Sequence, residues 1–183
     1  FYNCSGLTSI TLPEGVTSIG SSAFYGCTGL TEVTVPNSVT SIGASAFGEC
    51  KGLTKITLPF VGNKPHSATD TYQYPFGYIF GTSSYTGGTK TTQDYYGSST
   101  SSTTSSYYYI PTSLKDVVIT GSSHIPYGAF YNCSNLKSIT LPEDVTSVGS
   151  NAFYCCRGLT EVTFEGATSP TFGTSVFYTT NNC

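Results

Sequence analysis

The sequence predicts a β-rich solenoid, a stack of about six coils made of short strands and turns. The pattern L-x-x-[IV]-x-[LV]-P recurs with a period of 23 residues. Its apolar positions alternate with polar ones, as in strands with one buried face, and Pro and Gly separate the runs. A coil of this size cannot bury its apolar side alone, so successive coils must stack around one core.

The copies fall into two blocks, residues 1–59 and 114–183, on either side of an insertion at residues 60–113. The leucines that open them are Leu7, Leu30, Leu53, Leu114, Leu136 and Leu159. A second signature, V-T-S-[IV]-G-x-x-A-F-x-x-C, completes the first, second and fifth copies. We expect one solenoid domain over residues 1–183, since a globular unit commonly holds about 100–200 residues. Phe1 and Cys4 match the tail of a preceding copy, so we expect a longer parent chain.

Charged side chains are scarce in this chain: 7 residues are Lys or Arg, 10 are Asp or Glu, and the net charge is −3. Seven cations cannot form the basic surface that nucleic acids or anionic membranes require, so we expect no nucleic-acid partner. No apolar run reaches the roughly 18 residues of a membrane span, so we expect no membrane insertion. Polarity comes instead from 56 Ser and Thr hydroxyl groups.

The stretch from Leu7 to Cys27, L-T-S-I-T-L-P-E-G-V-T-S-I-G-S-S-A-F-Y-G-C, resembles the BspA-like leucine-rich repeats. The resemblance covers residues 1–59 and 114–178. It implies a right-handed, curved leucine-rich-repeat solenoid in an extracellular or cell-surface protein. The partners that it implies are host extracellular-matrix or cell-surface proteins or glycans, or other microbes.

The insertion is rich in tyrosine, holding nine of the 15 tyrosines together with 21 Ser or Thr. Antibody paratopes use the same mixture of rigid Tyr and small polar residues. The candidate ligand contacts here are Tyr95, Tyr96, Tyr107, Tyr108 and Tyr109. Two other interpretations stay open, an ordered patch that covers the flank of the solenoid and a mobile linker.

Two parts of the insertion have distinct expectations. The segment Phe76–Gly81, F-G-Y-I-F-G, is expected to replace the A-F signature that the third copy lacks, with Ile79 and Phe80 in the core. Residues 97–106 are rich in Ser and Thr and are expected to form an exposed, flexible loop.

The inner face of the solenoid should expose the x positions of L-x-x-I-x-L as two columns. One column is almost entirely Thr, and the other carries variable charges. The candidate contacts on this face are Glu32, Thr34, Lys55, Thr57, Asp116, Thr140 and Glu161. Such a face is either a solvated strand surface that reflects the β-propensity of Thr, or a ligand-binding sheet.

Five of the seven cysteines, Cys4, Cys27, Cys50, Cys133 and Cys156, share one repeat position and should stack in a column. Their Cβ atoms should stay near the strand spacing of ~4.8 Å, beyond the ~3.8 Å mean of a disulfide, so we expect free, buried thiols. Cys155 and Cys183 lie outside the column, and a disulfide between them is left open.

No motif in the sequence indicates catalysis. His66 and His124 have no carboxylate or nucleophile positioned by sequence spacing, and no C-x-x-C zinc pair or phosphate-binding loop is present. We expect no catalytic residues, no metal site and no cofactor.

The sequence therefore favours a non-enzymatic recognition or adhesion module. The alternative is a structural spacer, or a repeat segment that associates end to end. A binding module predicts an exposed tyrosine cluster, whereas a spacer predicts tyrosines that pack on the flank of the solenoid.

Overall fold

The computed structural model describes residues 1–179 and is a β-solenoid of about seven turns with almost no helix. The solenoid prediction is confirmed. The strands are β1 (Ser18–Ile19), β2 (Glu32–Thr34), β3 (Ser41–Ile42), β4 (Lys55–Leu58), β5 (Gly88–Tyr96), β6 (Thr103–Pro111), β7 (Asp116–Ile119), β8 (His124–Ile125), β9 (Ser138–Leu141), β10 (Ser147–Val148), β11 (Glu161–Phe164) and β12 (Thr171–Phe172), and a 3-10 helix spans Phe76–Ile79.

The L-x-x-I-x-L segments form one parallel five-stranded sheet in the order β11-β9-β7-β4-β2. Burial alternates along each strand because successive side chains point to opposite faces. Val33, Ile56, Val117 and Ile139 align across the sheet on its buried face. The register between β4 and β7 is continuous although the insertion separates these strands in sequence.

The V-T-S-I segments form two smaller parallel sheets, β1-β3 and β12-β10-β8. The third copy has no strand at this position. Instead the backbone N–H of Ile42 donates to the carbonyl of Asn63 at 2.9 Å, so the start of the insertion continues the coil.

Most coils place two residues in the left-handed region of φ, where non-glycine side chains are disfavoured. Ser22, Ser45, Asn151 and Ser175 stand at the first of these positions, two places before the Phe of each A-F or V-F pair, with φ between 55° and 58°, and Gly128 holds this position in the fourth copy with φ of 60°. The second position precedes the column cysteine and is occupied by Asn3, Gly26, Glu49, Asn132 and Cys155. Cys155 thus replaces the Asn, Gly or Glu of other copies.

Phenylalanine rings stack between coils along the core. Phe1, Phe24 and Phe47 form one run with centroids 5.5 and 5.3 Å apart, and Phe130 stacks on Phe153 at 5.5 Å. The 3-10 helix lies between the two runs, hydrogen-bonded through its backbone to Phe47 and in ring contact with Phe130. Its Phe76 lies 5.1 Å from Phe130 and also 5.1 Å from Phe80.

The segment at 76–81 replaces the A-F signature, as predicted. Ile79 and Phe80 are buried, and the backbone N–H of Phe47 donates to the carbonyl of Ile79 at 2.8 Å. On the other side, the N–H of Phe76 donates to the carbonyl of Ala129 at 2.8 Å. The segment therefore occupies the place of one coil between the second and the fourth copies.

The rest of the insertion is an antiparallel hairpin of β5 and β6, paired over nine residues each. The prediction of a flexible loop over residues 97–106 was wrong for its second part, because Thr103 to Ser106 pair in register with Gln93 to Tyr96. The connection is confined to residues 97–102. Tertiary pairing imposes a strand on a Ser- and Thr-rich stretch that has no hydrophobic pattern of its own.

Candidate functional site: the sheet face and the insertion

The outward columns of the five-stranded sheet lie where the repeat period predicts. Parallel pairing aligns Glu32 with Lys55, Lys55 with Asp116, and both Asp116 and Glu161 with Ser138. The neighbouring column contains Thr11, Thr34, Thr57, Val118, Thr140 and Thr163. The sheet therefore brings all seven candidate residues of this face onto one continuous surface.

The charged column leaves its single cation without an ion pair. Within residues 1–179 no salt bridge joins Lys55 to Glu32 or Asp116, although both are its neighbours in register. Asp116 instead accepts a hydrogen bond from Ser138 Oγ at 2.6 Å. The Lys55 ammonium group is exposed and flanked by carboxylates, an arrangement that an incoming charged group can recognise.

Other threonines have a structural role that the sequence analysis missed. Their hydroxyl groups donate to a carbonyl of the preceding coil, as Thr54 does to Thr31 at 3.1 Å and Thr146 to Ser123 at 3.0 Å. The same bond recurs at Thr31, Thr40, Thr160 and Thr171. Thr recurs one place before β2, β3, β4, β10 and β11, and this recurrence was the available signal. Each of these hydroxyl groups gives a backbone carbonyl a hydrogen-bond partner.

The hairpin sorts the candidate tyrosines by their position along each strand. Tyr95 and Tyr108 are buried, at 7% and 5% exposure, so the expectation that they contact a ligand is corrected. Tyr95 packs on Tyr74 with ring centroids 5.4 Å apart. Because side chains alternate between faces in a strand, the neighbours of these buried rings point outward.

Only part of the predicted tyrosine cluster is accessible. Tyr107 is 48% exposed, Tyr109 is half-buried, and their rings meet edge to face at 6.3 Å. The ammonium group of Lys90 lies 4.7 Å from the centroid of Tyr107. Tyr96 is half-buried and stacks on Tyr127 at 4.5 Å. The packing matches the expectation for an insertion that covers the flank of the solenoid.

Two buried glutamines attach the insertion to the fourth copy. Gln93 Oε1 accepts from the N–H of Gly77 at 2.7 Å, and Gln93 Nε2 donates to the carbonyl of Tyr131 at 3.0 Å. Gln73 Oε1 accepts from the N–H of Tyr127 at 3.2 Å. Sequence reasoning missed both residues, since a lone Gln among Ser, Thr and Tyr carries no recognisable spacing.

Both histidines have partners that sequence spacing did not indicate. His124 Nδ1 lies 2.7 Å from Ser147 Oγ, and burial lowers the pKa of His124. His66 Nε2 lies 3.1 Å from Asn63 Oδ1, and its Nδ1 is 3.6 Å from the Asp70 carboxylate without a hydrogen bond. Burial, reinforced by Lys64, lowers the pKa of His66 to about 4.

The repeat itself identifies the family. The family model of the BspA type leucine rich repeat region matches residues 1–86 and 98–183 in six copies. The chain belongs to the BspA-type leucine-rich repeat family. The resemblance noted in the sequence is thereby confirmed, and no curated protein sequence matches the chain.

Three solved structures are similar to this BspA-type chain. A leucine-rich cell-surface protein of Faecalibacterium prausnitzii has 25% identity, covers 87% of this chain, and has a TM-score of 0.47; the chain spans 32% of that protein. A T. pallidum leucine-rich repeat protein has 20% identity and a TM-score of 0.40, with 93% of this chain and 75% of that one covered. A Bacteroides ovatus leucine-rich repeat protein has 19% identity and a TM-score of 0.26, with 97% and 60% covered.

The cysteine column of the BspA-type repeat consists of free thiols, as predicted. Cys27, Cys50, Cys133 and Cys156 are buried as predicted, whereas Cys4 is exposed, so the prediction of burial was wrong for Cys4. Burial raises the pKa of Cys50 and of Cys156 to about 12, so both are neutral thiols at physiological pH. A disulfide between Cys155 and Cys183 was left open by the sequence, and Cys183 lies outside the described residues.

Residues 1–179 contain no cluster of three or more His, Cys, Asp or Glu side chains suited to a metal ion. In the same part of the chain, no helix has the length and apolar character needed to cross a bilayer.

Proposed function

We propose that this protein is a non-enzymatic recognition or adhesion module at the cell surface or outside the cell, and that its ligand lies on the five-stranded sheet. The observation that carries the proposal is the alignment of a charged column with a Thr column on one exposed face. The core residues alternate with these positions, so the exposed columns can change without disturbing the packing. Solenoids use such extended surfaces for partners.

Lys55 is the central contact in this proposal. It lies between Glu32 and Asp116 in the charged column and has no ion pair with either. A partner that places a carboxylate opposite Lys55 and cations opposite its neighbours would match the column. The supported partner classes are host extracellular-matrix or cell-surface proteins or glycans, and surfaces of other microbes, which the family resemblance implies.

The test is an array of matrix proteins and glycans, followed by a titration of each positive ligand. The variant Lys55→Glu should weaken binding by about tenfold or more, since like charges then meet across the interface. Lys51→Glu is the matched control, because Lys51 is exposed but lies in a turn outside the columns. Equal affinity for Lys55→Glu and the natural sequence would remove the sheet face from the proposal.

A spacer or an end-to-end repeat segment is the second candidate, and the aromatic columns favour it. Phe1 and Tyr2 are 64% and 62% exposed, and Phe177 and Tyr178 are each 50% exposed at the far end of the described stack. Phe1 stacks on Phe24, and Phe177 stacks on Phe153, so the exposed rings extend the aromatic columns formed by successive coils. Another coil, from this chain or from a second copy, could stack on them.

Light scattering over a concentration series separates the two candidates. Mass that grows with protein concentration would support end-to-end association through the aromatic columns. A constant monomer mass would leave the sheet face as the functional surface.

A further inference from the structure

A pocket of about 320 Å³ opens on the outer side of the β12-β10-β8 sheet, beside the insertion. Its floor contains His124, Ser147 and Thr171, which the parallel pairing aligns across the three strands. Tyr96 from the hairpin and Tyr127 from the fourth copy contribute aromatic rings, stacked 4.5 Å apart. The volume is at the lower end of the ~300–1,000 Å³ that small-molecule sites occupy.

None of the described residues that surround this pocket carries a formal charge at neutral pH. His124 is the one titratable group of the floor apart from tyrosine, and burial lowers its pKa. An ionic ligand would lose hydration there without gaining a counter-charge, which is unfavourable. The pocket is therefore suited to an uncharged ligand.

The floor offers hydrogen-bonding groups at fixed positions. Ser147 Oγ and His124 Nδ1 are 2.7 Å apart, so each fixes the orientation of the other. Within residues 1–179 the other ring nitrogen of His124, Nε2, makes no hydrogen bond, and it is not sealed from solvent. A hydroxyl group of a ligand can pair with it.

We propose that this pocket binds one residue of a neutral sugar. A sugar ring presents apolar C–H groups that pack against aromatic rings, and a rim of hydroxyl groups that pair with side chains such as His124 and Ser147. The pocket lies on a different sheet from Lys55 and shares no residue with the charged or Thr columns. The inference is thus independent of the proposed recognition face.

The whole chain is tested with methyl glycosides of glucose, galactose, mannose and N-acetylglucosamine, by saturation-transfer NMR and then by titration. At least one should bind with a Kd on the order of 1 mM or tighter. Ser147→Val and His124→Phe should each weaken that binding by about tenfold, because they remove the paired polar groups from the floor. Circular dichroism and the Tm of each variant verify the fold.

Ser41→Val provides the matched control, since Ser41 holds the same repeat position on β3 and does not line the pocket. Binding should be unchanged in this variant. The proposal is overturned if no neutral glycoside binds, or if Ser147→Val binds as tightly as Ser41→Val. If His124→Phe does not fold, Ser147→Val decides the outcome. Lys55→Glu should leave glycoside binding unchanged, so failure of one proposal is distinguishable from failure of the other.

Discussion

Gln93 Oε1 accepts a hydrogen bond from the backbone N–H of Gly77 at 2.7 Å, and this bond joins the hairpin to the 3-10 helix that replaces one coil. The contact leaves no space for a side chain at position 77, since a Cβ atom there would lie 2.5 Å from Gln93 Oε1. Gln93 also donates to Tyr131 in the next copy. One side chain thus connects the hairpin, the helix and the regular repeat.

Replacing Gln93 by Leu should therefore destabilise the whole domain. The change leaves the N–H of Gly77 and the carbonyl of Tyr131 without their partner in a buried setting. Each orphaned group costs roughly 1–3 kcal/mol, so we expect a loss of about 2–4 kcal/mol in the free energy of unfolding. Urea denaturation measures this value.

Thr92→Leu is the control for that experiment, because Thr92 is the exposed neighbour of Gln93 on β5. It should change the free energy of unfolding by less than about 0.5 kcal/mol. A similarly small effect of Gln93→Leu would show that the hairpin is not attached through this side chain.

The repeat alone sufficed to predict the register of the sheet face. Ile56 and Val117 occupy the same repeat position, and burying both in one core aligns their neighbours Lys55 and Asp116 despite the intervening insertion. A slip of one residue would turn every apolar side chain to solvent. That cost is why a sequence period translates into spatial columns.

The hairpin could not be predicted in the same way. Its buried positions on β5 are Thr91, Gln93 and Tyr95, which carry no hydrophobic alternation. Polar contacts hold this strand against the fourth copy, such as the bonds from Gln93 Nε2 to the carbonyl of Tyr131 at 3.0 Å and from Asn132 Nδ2 to the carbonyl of Thr92 at 2.9 Å. Sequence patterns describe apolar faces, whereas these contacts depend on residues 38 and 40 positions away.

The residue before each A-F pair has a left-handed φ, and this conformation predicts how the position responds to substitution. Ser22 has φ of 56° and its side chain forms no hydrogen bond within residues 1–179. Ser22→Val should lower the free energy of unfolding by about 1–2 kcal/mol, since a β-branched residue is strongly disfavoured in this region. Ser22→Gly should stay within about 0.5 kcal/mol of the natural sequence.

Ser18→Val tests whether the effect belongs to φ rather than to valine. Ser18 is exposed on β1, where β-branched residues are favoured, so this variant should be neutral or slightly stabilising. Thermal unfolding of the three variants gives the comparison. Equal losses for Ser22→Val and Ser18→Val would contradict the argument.

His66 should make stability depend on acidity. Burial lowers its pKa from 6.5 to about 4 in the folded protein, so between those pH values the unfolded state binds more protons. The stability that neutral, buried His66 contributes is complete above pH 6.5, and it is lost as the pH falls towards 4. His66→Gln retains a hydrogen-bonding group near Asn63 but cannot titrate, and its Tm should fall less between pH 7 and pH 5. Parallel Tm profiles of the two proteins would exclude His66 as the source.

The buried thiols predict the opposite trend in alkaline solution. Burial, with a smaller contribution from Cys27, raises the pKa of Cys50 from 9.0 to about 12. Above pH 9 the unfolded chain releases the proton that the folded chain retains, so stability falls as the pH rises from 9 towards 12. Each such thiol contributes a slope of about 1.4 kcal/mol per pH unit.

This slope is tested by measuring the urea midpoint of unfolding from pH 8 to pH 11 for the natural sequence and for Cys50→Ala. The variant should lose some stability at pH 8, because the smaller side chain leaves a gap in the column, but its stability should then decline less steeply with pH. Cys4→Ala is the control, since Cys4 belongs to the same column and is exposed. Its pH dependence should match that of the natural sequence. If Cys50→Ala and Cys4→Ala declined equally, ionisation of groups other than the Cys50 thiol, such as Cys156 or the buried tyrosines, would account for the alkaline loss.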